Sequence, residues 1–501
     1  MPSRFFSNLA ARLSSSSEET RQTDRDGQIL VNSIFRDADV DDVPAFLLDN
    51  DNARLLNFGR ITTDNATAAV SVEGEDIQIV NFRSGRIEAD SGPDASATAI
   101  SVAGSASIRN SGDIDGDFNG VKFEGAGSSG RLDNLRSGTI SSDSRAVDIQ
   151  GEDITLRNSG EILGTGDQRN GTVYADDAAR DYTIENRRGG VIDAGEGNDG
   201  AGISLSLAED GNGEIDVEND GVVAGRGQAS AADGTAGDGI RLEGVRGDGF
   251  APGLFEGTIS NAGTVTSEST QGTTGAFRAV NNVDFQGTLV NEEGGLFAGA
   301  QNGVYFGIGD HSGGSFENRG TVTSDSRALN IDGVGLTVNN AGEILGTGDQ
   351  RNGTVYADGT ADDYSFTNTD TGVVDAGAGN QGSGFGAEIG GAVDGANTFS
   401  LDNDGTIQGR GQASAASNLA GDGVRIGNVG NIGTAEVELN NSGTIASESA
   451  QGTTAGIRFV NGISFSGELN NSGTISGVQN GLYFGNPVEG AGADHSNVVD
   501  N

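Results

Sequence analysis

Few residues in this chain have the types and spacing that chemistry needs. Asp115, Asp117 and Asn119, followed by Gly120, spell the first half of a calcium loop, in which alternate side-chain oxygens converge on a hard cation. The bidentate glutamate that should close such a loop, six residues after the glycine, is replaced by Ala126. Ca2+ is therefore the one cofactor the sequence raises, and diffuse binding by acidic side chains is expected ahead of a built site. Asp148 and Asp332, or Arg145 and Arg327, could be invoked as acid–base groups on the outer face of a polysaccharide-cleaving enzyme. Each of these residues lies in a segment that recurs along the chain, whereas an active site is normally unique. The two histidines, His311 and His495, are likewise equivalent copies within Asp-His-Ser. With no nucleophile motif and no metal triad, the chain is read as not an enzyme.

The recurrence that weakens the catalytic reading is itself the strongest signal. A short unit, Asn followed two to four residues later by Gly and then x-(Ile/Val) or a similar apolar residue, recurs fifteen times from Asn57 to Ile475, with glycine-to-glycine gaps of 22 to 42 residues. Over it runs a near-duplication of about 182 residues, spanning 138–319 and 320–501. The seventeen residues Gly160 to Asp176 return unchanged as Gly342 to Asp358. A fixed internal period means stacked architecture, and stacking makes long surfaces more readily than single pockets.

The runs between glycines alternate, as in Arg145-Ala146-Val147-Asp148-Ile149, where Val147 and Ile149 share one side and Asp148 takes the other. That period of two is the strand signature, and the bounding Gly, Asn, Asp and Ser are turn formers. The expected fold is all-β, a parallel β-solenoid (β-helix) of about 15 coils, roughly 22–42 residues each, with a short N-terminal helical or cap segment. Residues 1–25 read as an amphipathic segment and linker, 26–56 as an atypical first coil or cap, and 57–501 as the solenoid. The longest gap, from Gly221 to Gly263, should carry the largest loop, beginning at Gly225.

Asparagine has a physical task in such a stack. Placed at the same turn of successive coils, its carboxamide can bond the carboxamides above and below. The ladder is assigned to Asn158, Asn186, Asn219, Asn261, Asn291, Asn318, Asn340, Asn368, Asn403, Asn441 and Asn471. The glycine beside each is expected to supply a positive φ at the corner. At the spacing of paired strands, fifteen coils would span roughly 70 Å. Asn119-Gly120 aligns with Asn302-Gly303 and Asn480-Gly481, which makes it an ordinary turn of the coil.

Composition supplies context. Among 501 residues there are 85 Gly, 5 Pro, no Cys and no Trp, with a net charge of −44. High charge with few apolar residues also marks disorder, but a disordered chain would not hold its apolar residues in phase over fifteen units. The acidic surface excludes nucleic acid as a partner and suits a salt-rich exterior that screens it. No secretory signal and no apolar run of membrane-spanning length is visible.

Identical polar segments need a further reading, since core packing alone would preserve only inward positions: recent gene duplication is the first, a repeated lateral contact the sharper one. Arg169 and Arg351, and Arg226 and Arg410, recur with their polar neighbours and are candidate lateral contacts, spaced by six coils or roughly 29 Å.

The NSGTI-type coils (Asn441 to Ile445, Asn471 to Ile475) and the Ala146–Ile149 and Ala328–Ile331 strands resemble the β-solenoid regions of large bacterial cell-surface and secreted proteins. These include adhesin and autotransporter passengers, haemolysin-type exoproteins and surface-layer or filament proteins. The resemblance implies an extracellular or cell-surface location, reached without a cleaved N-terminal signal peptide. The expected function is structural: self-assembly through stacked coils into a filament, surface layer or biofilm matrix. The expected partners are further copies of the chain, head-to-tail or lateral, and a cell-surface polysaccharide. The alternative is an adhesin stalk presenting a binding domain, and behind it a polysaccharide-degrading β-helix enzyme.

Overall fold

A computed structural model describes residues 20–33, 38–41, 43–64, 67–90, 97–165, 171–195, 200–226, 237–244, 252–270, 273–280, 282–348, 353–377, 382–389, 397–410, 421–428, 433–450, 453–460, 463–485 and 497–500. Among these residues all regular structure is strand, with no helix. The fold is a parallel β-solenoid. The chain divides into two compact units, residues 1–198 and 199–501.

In the first unit each coil makes three short strands, and each strand pairs in parallel with its equivalent one coil on. Thr98–Val102, Ser105–Asn110 and Asp113–Gly116 form one such coil. Thr98–Val102 lies between Ala68–Val72 and Asn119–Phe123. Ser105–Asn110 lies between Ile77–Asn81 and Ser129–Asn134. Asp113–Gly116 lies between Arg86–Asp90 and Thr139–Ser142. Three parallel sheets result, called first, second and third in chain order, with seven strands each in this unit. Alternation decides which side chains go in: Ile100, Val102, Ile108 and Ile114 are wholly buried, and Ser107 and Arg109 face out. The core is a column mostly of Ile, Val and Leu, with Phe46, Phe123 and Tyr182 among them.

The solenoid begins before Asn57. Arg21–Gln22, Ile29–Asn32 and Ala38–Asp41 are already strands of the three sheets. Residues 26–56 therefore supply ordinary strands, and Asn32 pairs in register with Asn57. The helix anticipated near the N-terminus falls in residues 1–19, outside the described residues.

The second unit repeats the three-sheet plan from Ala201–Leu207, Ile215–Asn219 and Val222–Gly225 onward. Part of it gains a fourth side. Gly253–Phe255 pairs with Val283–Phe285 between the first and second sheets. Single parallel bridges join Asp310 to Val334 and Val334 to Asp362. The wider section is filled by aromatic rings: Phe285 lies 5.3 Å from Phe255 and 5.2 Å from Phe306, and Phe306 lies 5.6 Å from Phe277 and 6.3 Å from Phe316, centroid to centroid. The long gap from Gly221 to Gly263 thus contains an extra strand, and most of the segment where the largest loop is expected, 227–236, lies outside the described residues.

The corner glycines work differently from the expectation. None of the glycines of the Asn-x-Gly turns has a positive φ among the described residues. What they need is room. A Cβ on Gly112 would stand 2.1 Å from the carbonyl oxygen of Gly85 one coil back, and one on Gly342 would stand 2.1 Å from that of Gly320. The turn backbones stack so closely that no side chain fits between them.

Candidate functional site

The asparagine at the end of each second-sheet strand forms the spine of both units. In the first unit the side-chain Nδ2 of each residue donates to the Oδ1 of the next: Asn32 to Asn57, Asn57 to Asn81 and Asn81 to Asn110 at 2.8 Å, Asn110 to Asn134 at 3.0 Å, and Asn134 to Asn158 and Asn158 to Asn186 at 2.9 Å. In the second unit the file runs Asn219, Asn261, Asn291, Asn318, Asn340, Asn368, Asn403, Asn441, Asn471, every link 2.7 to 3.0 Å. All these bonds point from the lower-numbered to the higher-numbered residue.

The carboxamides of Asn57, Asn110 and Asn158 accept twice, the second bond coming from the amide of Gly59, Gly112 or Gly160 at 3.2 Å, and Asn219 Oδ1 accepts from the Gly221 amide at the same distance. The second hydrogen of Asn81 Nδ2 goes to the carbonyl of Asp113 at 3.0 Å. This explains the residue choice. A buried side chain there must donate to one neighbour and accept from the other, and asparagine alone does so at that length. The acceptor of Asn32 is the exception: it is buried and has no hydrogen bond.

Every ladder residue expected from the sequence takes its place. Those not named for the ladder beforehand are Asn32, Asn57, Asn81, Asn110 and Asn134. Asn32 is followed by Ser33 with no glycine after it, which hid it. A second, outer file was also missed. Asn470 Nδ2 donates to Asn440 Oδ1 at 2.9 Å, and Asn440 Nδ2 to Asp402 Oδ1 at 2.8 Å. With Thr367, Asp404 and Ser442 these residues line an open polar groove of about 510 Å3. Its signal was the doublets Asn440-Asn441 and Asn470-Asn471, in which one residue faces in and the next faces out.

The expected cation ligands do not converge. Asn119 is buried and donates from Nδ2 to Thr98 Oγ1 at 3.2 Å. Asp115 lies on the outer face of the third sheet, accepting from Ser141 Oγ at 2.6 Å. Burial, and after it the neighbouring Glu88, Asp143 and Asp117, hold its carboxyl above the usual range. Asn302 and Asn480 donate to the carbonyls of Thr274 and Thr454, so this asparagine set serves the turn before the first sheet. Among the described residues no group of three or more His, Asp or Glu is placed to hold a metal.

Charged groups are unexpectedly buried on the outer side of the first sheet. Asp148 and Asp332 are 0% and 6% exposed. Burial pushes the Asp148 carboxyl up to about 6 against the pull of Arg145, whose guanidinium lies 3.2 Å away. Burial, with Asp358 beside it, pushes Asp332 up to about 7, and Tyr305 Oη donates to it at 2.7 Å. Arg145 and Arg327 stack over Tyr174 and Tyr356, at 4.1 and 4.2 Å from the ring centroids. Asp238 and Asp422 form matching clamps. Asp238 accepts from the Gly275 amide at 2.9 Å and pairs with Arg278 at 3.3 Å; Asp422 accepts from the Ala455 amide at 2.8 Å and pairs with Arg458 at 3.4 Å. Each ties one coil to the next. Burial raises both carboxyls, Asp422 to about 7. His311 is buried against Phe306, its Nε2 2.7 Å from the Gly307 carbonyl oxygen, and desolvation lowers its pKa.

Of the candidate lateral contacts, Arg410 is held within its own chain by Asp375 at 2.8 Å, Gln408 at 2.9 Å and Glu448 at 3.5 Å. Arg226 stands 3.8 Å from Glu268. Both edge the third sheet. Arg169, Arg351 and His495 lie outside the described residues.

The class defined by these features is the parallel β-solenoid repeat protein with an internal asparagine ladder. Comparison with protein-family models, curated proteins and solved structures finds no match. Among the described residues no helix is long and apolar enough to cross a membrane.

Proposed function

We propose that the protein is a structural, extracellular element that assembles with further copies of itself through the stacking of solenoid coils, into a filament, surface layer or matrix. The observation that carries this reading is the uniform direction of the carboxamide file. Any coil offers donors on one side and acceptors on the other, so one coil's edge is complementary to another's in one orientation. The buried, unsatisfied Oδ1 of Asn32 fits a docking donor, since an orphaned buried acceptor is costly. Parallel strand edges add a row of backbone groups that invite pairing. The burial of Asp148 and Asp332 argues against the enzyme alternative, because a general acid or base must reach its substrate. The acidic outer surface fits a cation-rich medium, with Ca2+ acting by screening.

Electron microscopy of the purified chain in saline buffer tests the proposal. Continuous filaments or lattices are expected, shortened or lost in Asn32→Ala. Single, unassociated particles at every concentration and salt would overturn it in favour of a stalk that presents a binding domain.

A further inference from the structure

The outer face of the third sheet in the second unit stands apart from the rest of this acidic surface. Nine strands, from Val222–Gly225 to Thr474–Gly477, lie side by side there. Each turns two side chains outward. One row carries Thr264, Thr321, Thr406, Thr444 and Thr474 in equivalent positions. The other carries small residues at Ala298, Ala446 and Ser476, with Leu345 and Gln408 among them, while Ala224 at its start is buried. Among these outward positions only Glu343 and Asp375 are charged, and Asp375 is already paired with Arg410. The neighbouring second sheet is different: its outward side chains include Asp216, Glu218, Glu317, Asp402, Glu436 and Glu438.

Charge returns at both margins of the face. Glu292, Arg319 and Asp404 sit in the turns on one side, with Arg319 bonded to Glu292 at 2.9 Å. On the other side Arg226 stands by Glu268 and Arg410 by Glu448. A flat, nearly uncharged centre with a rim of both signs is the anatomy of a protein interface.

We propose that this face is where two copies of the chain pack side by side, third sheet against third sheet. The occupant follows from charge. A chain of net charge −44 repels its own copies, so they can approach only through a surface that carries almost none of that charge. A differently charged partner would be served better by the acidic second sheet. The size suffices: nine strands about 4.8 Å apart and four residues long give roughly 500 Å2 of flat area, and two such faces together bury about 1,000 Å2, the lower bound for a specific interface. Arg226 and Arg410 at the rim can exchange their own glutamates for those of the facing copy, which gives a reason for their recurrence.

This inference rests on the self-assembly reading but fails separately from it. The full chain and a variant carrying Thr264→Glu, Thr321→Glu and Thr444→Glu are compared by sedimentation velocity and electron microscopy at high ionic strength. A control carries Thr258→Glu, Ser315→Glu and Ser365→Glu on the second sheet, and circular dichroism verifies the strand content of all three. The first variant should lose lateral association by about tenfold or more while end-to-end association persists, and the control should behave as the unmodified chain. Lateral association unchanged in the first variant, or lost equally in the control, overturns the face assignment and leaves end-to-end assembly standing. An unmodified chain that never associates overturns both.

Discussion

The two units solve one packing problem with different materials. In the first, coils keep three sides and fill them with aliphatic side chains such as Ile108, Ile114, Ile140 and Leu156. In the second, coils around residues 253–316 gain a fourth side, and the added width is taken up by Phe255, Phe277, Phe285, Phe306 and Phe316. The outside differs too. Third-sheet strands of the first unit carry Arg60, Arg86, Glu88 and Asp113, cross-linked by Arg60 to Glu88 at 2.7 Å and Arg86 to Asp113 at 3.6 Å. The same sheet in the second unit is nearly bare of charge. Common to both is the asparagine file with its turn glycines. The difference teaches that the ladder and the coil-to-coil register define the fold, and that cross-section and surface vary around them.

The comparison breaks first if the ladder is not equally needed in both units. Asn134→Ala and Asn340→Ala each strand a donor on the preceding asparagine and two acceptors beyond, so each should cost about 4 kcal/mol by the price of buried unsatisfied groups. Thermal unfolding should show similar large losses, and a small loss in one unit would mean the file is dispensable there. Next come the cores. Phe306→Ala should cost about 4 kcal/mol and Ile140→Ala about 3 kcal/mol, by the usual scale of large-to-small changes. Hydrogen exchange should show loosening around Phe277, Phe285 and Phe316 in the first case, and in the adjoining coils alone in the second.

The third test uses pH. Asp148, Asp332 and Asp422 have folded values raised to about 6, 7 and 7 from 3.8. Between these limits the folded chain holds protons that the unfolded chain has released. Their contribution is therefore full below about pH 4 and lost as pH rises through 6 to 7. Glu185 and Asp310, whose values are lowered, act oppositely at the acid end. The melting temperature should be higher near pH 5 than near pH 8, and Asp332→Asn should narrow the gap. Equal melting temperatures would show these carboxyls to be hydrated. The smallest effect is at the ion-paired surface: Glu88→Gln should change stability by less than about 1 kcal/mol, measured by the same melt.

Much of this architecture was legible from spacing. Alternation in Arg145–Ile149 and the Asn-x-Gly units specify strands and turns because a stack imposes the same demand at every layer. The alignment of Asn119, Asn302 and Asn480 suggests turn residues, but each opens a first-sheet strand and its carboxamide reaches back to Thr98, Thr274 or Thr454 of the preceding coil. Other features depend on three-dimensional neighbours. Gly112 looked like a residue chosen for its φ, and only the carbonyl of Gly85 behind it reveals a steric role. The outer file from Asp402 to Asn470 needs register across gaps of 38 and 30 residues. The clamps at Asp238 and Asp422 join a turn to an arginine a full coil away, a distance no local motif spans. The bare third-sheet face is a property of nine strands together, and no one of them announces it.

The one-way file of carboxamides has an electrical consequence. Amide groups set nose to tail add their dipoles, as peptide units do along a helix. Within each unit the ladder therefore leaves partial negative charge toward its low-numbered end, which in the first unit is the buried Asn32 Oδ1 without a hydrogen bond, and partial positive charge toward its high-numbered end. The two ends of such a stack differ in the sign of the field they present, which favours cations at one and anions at the other.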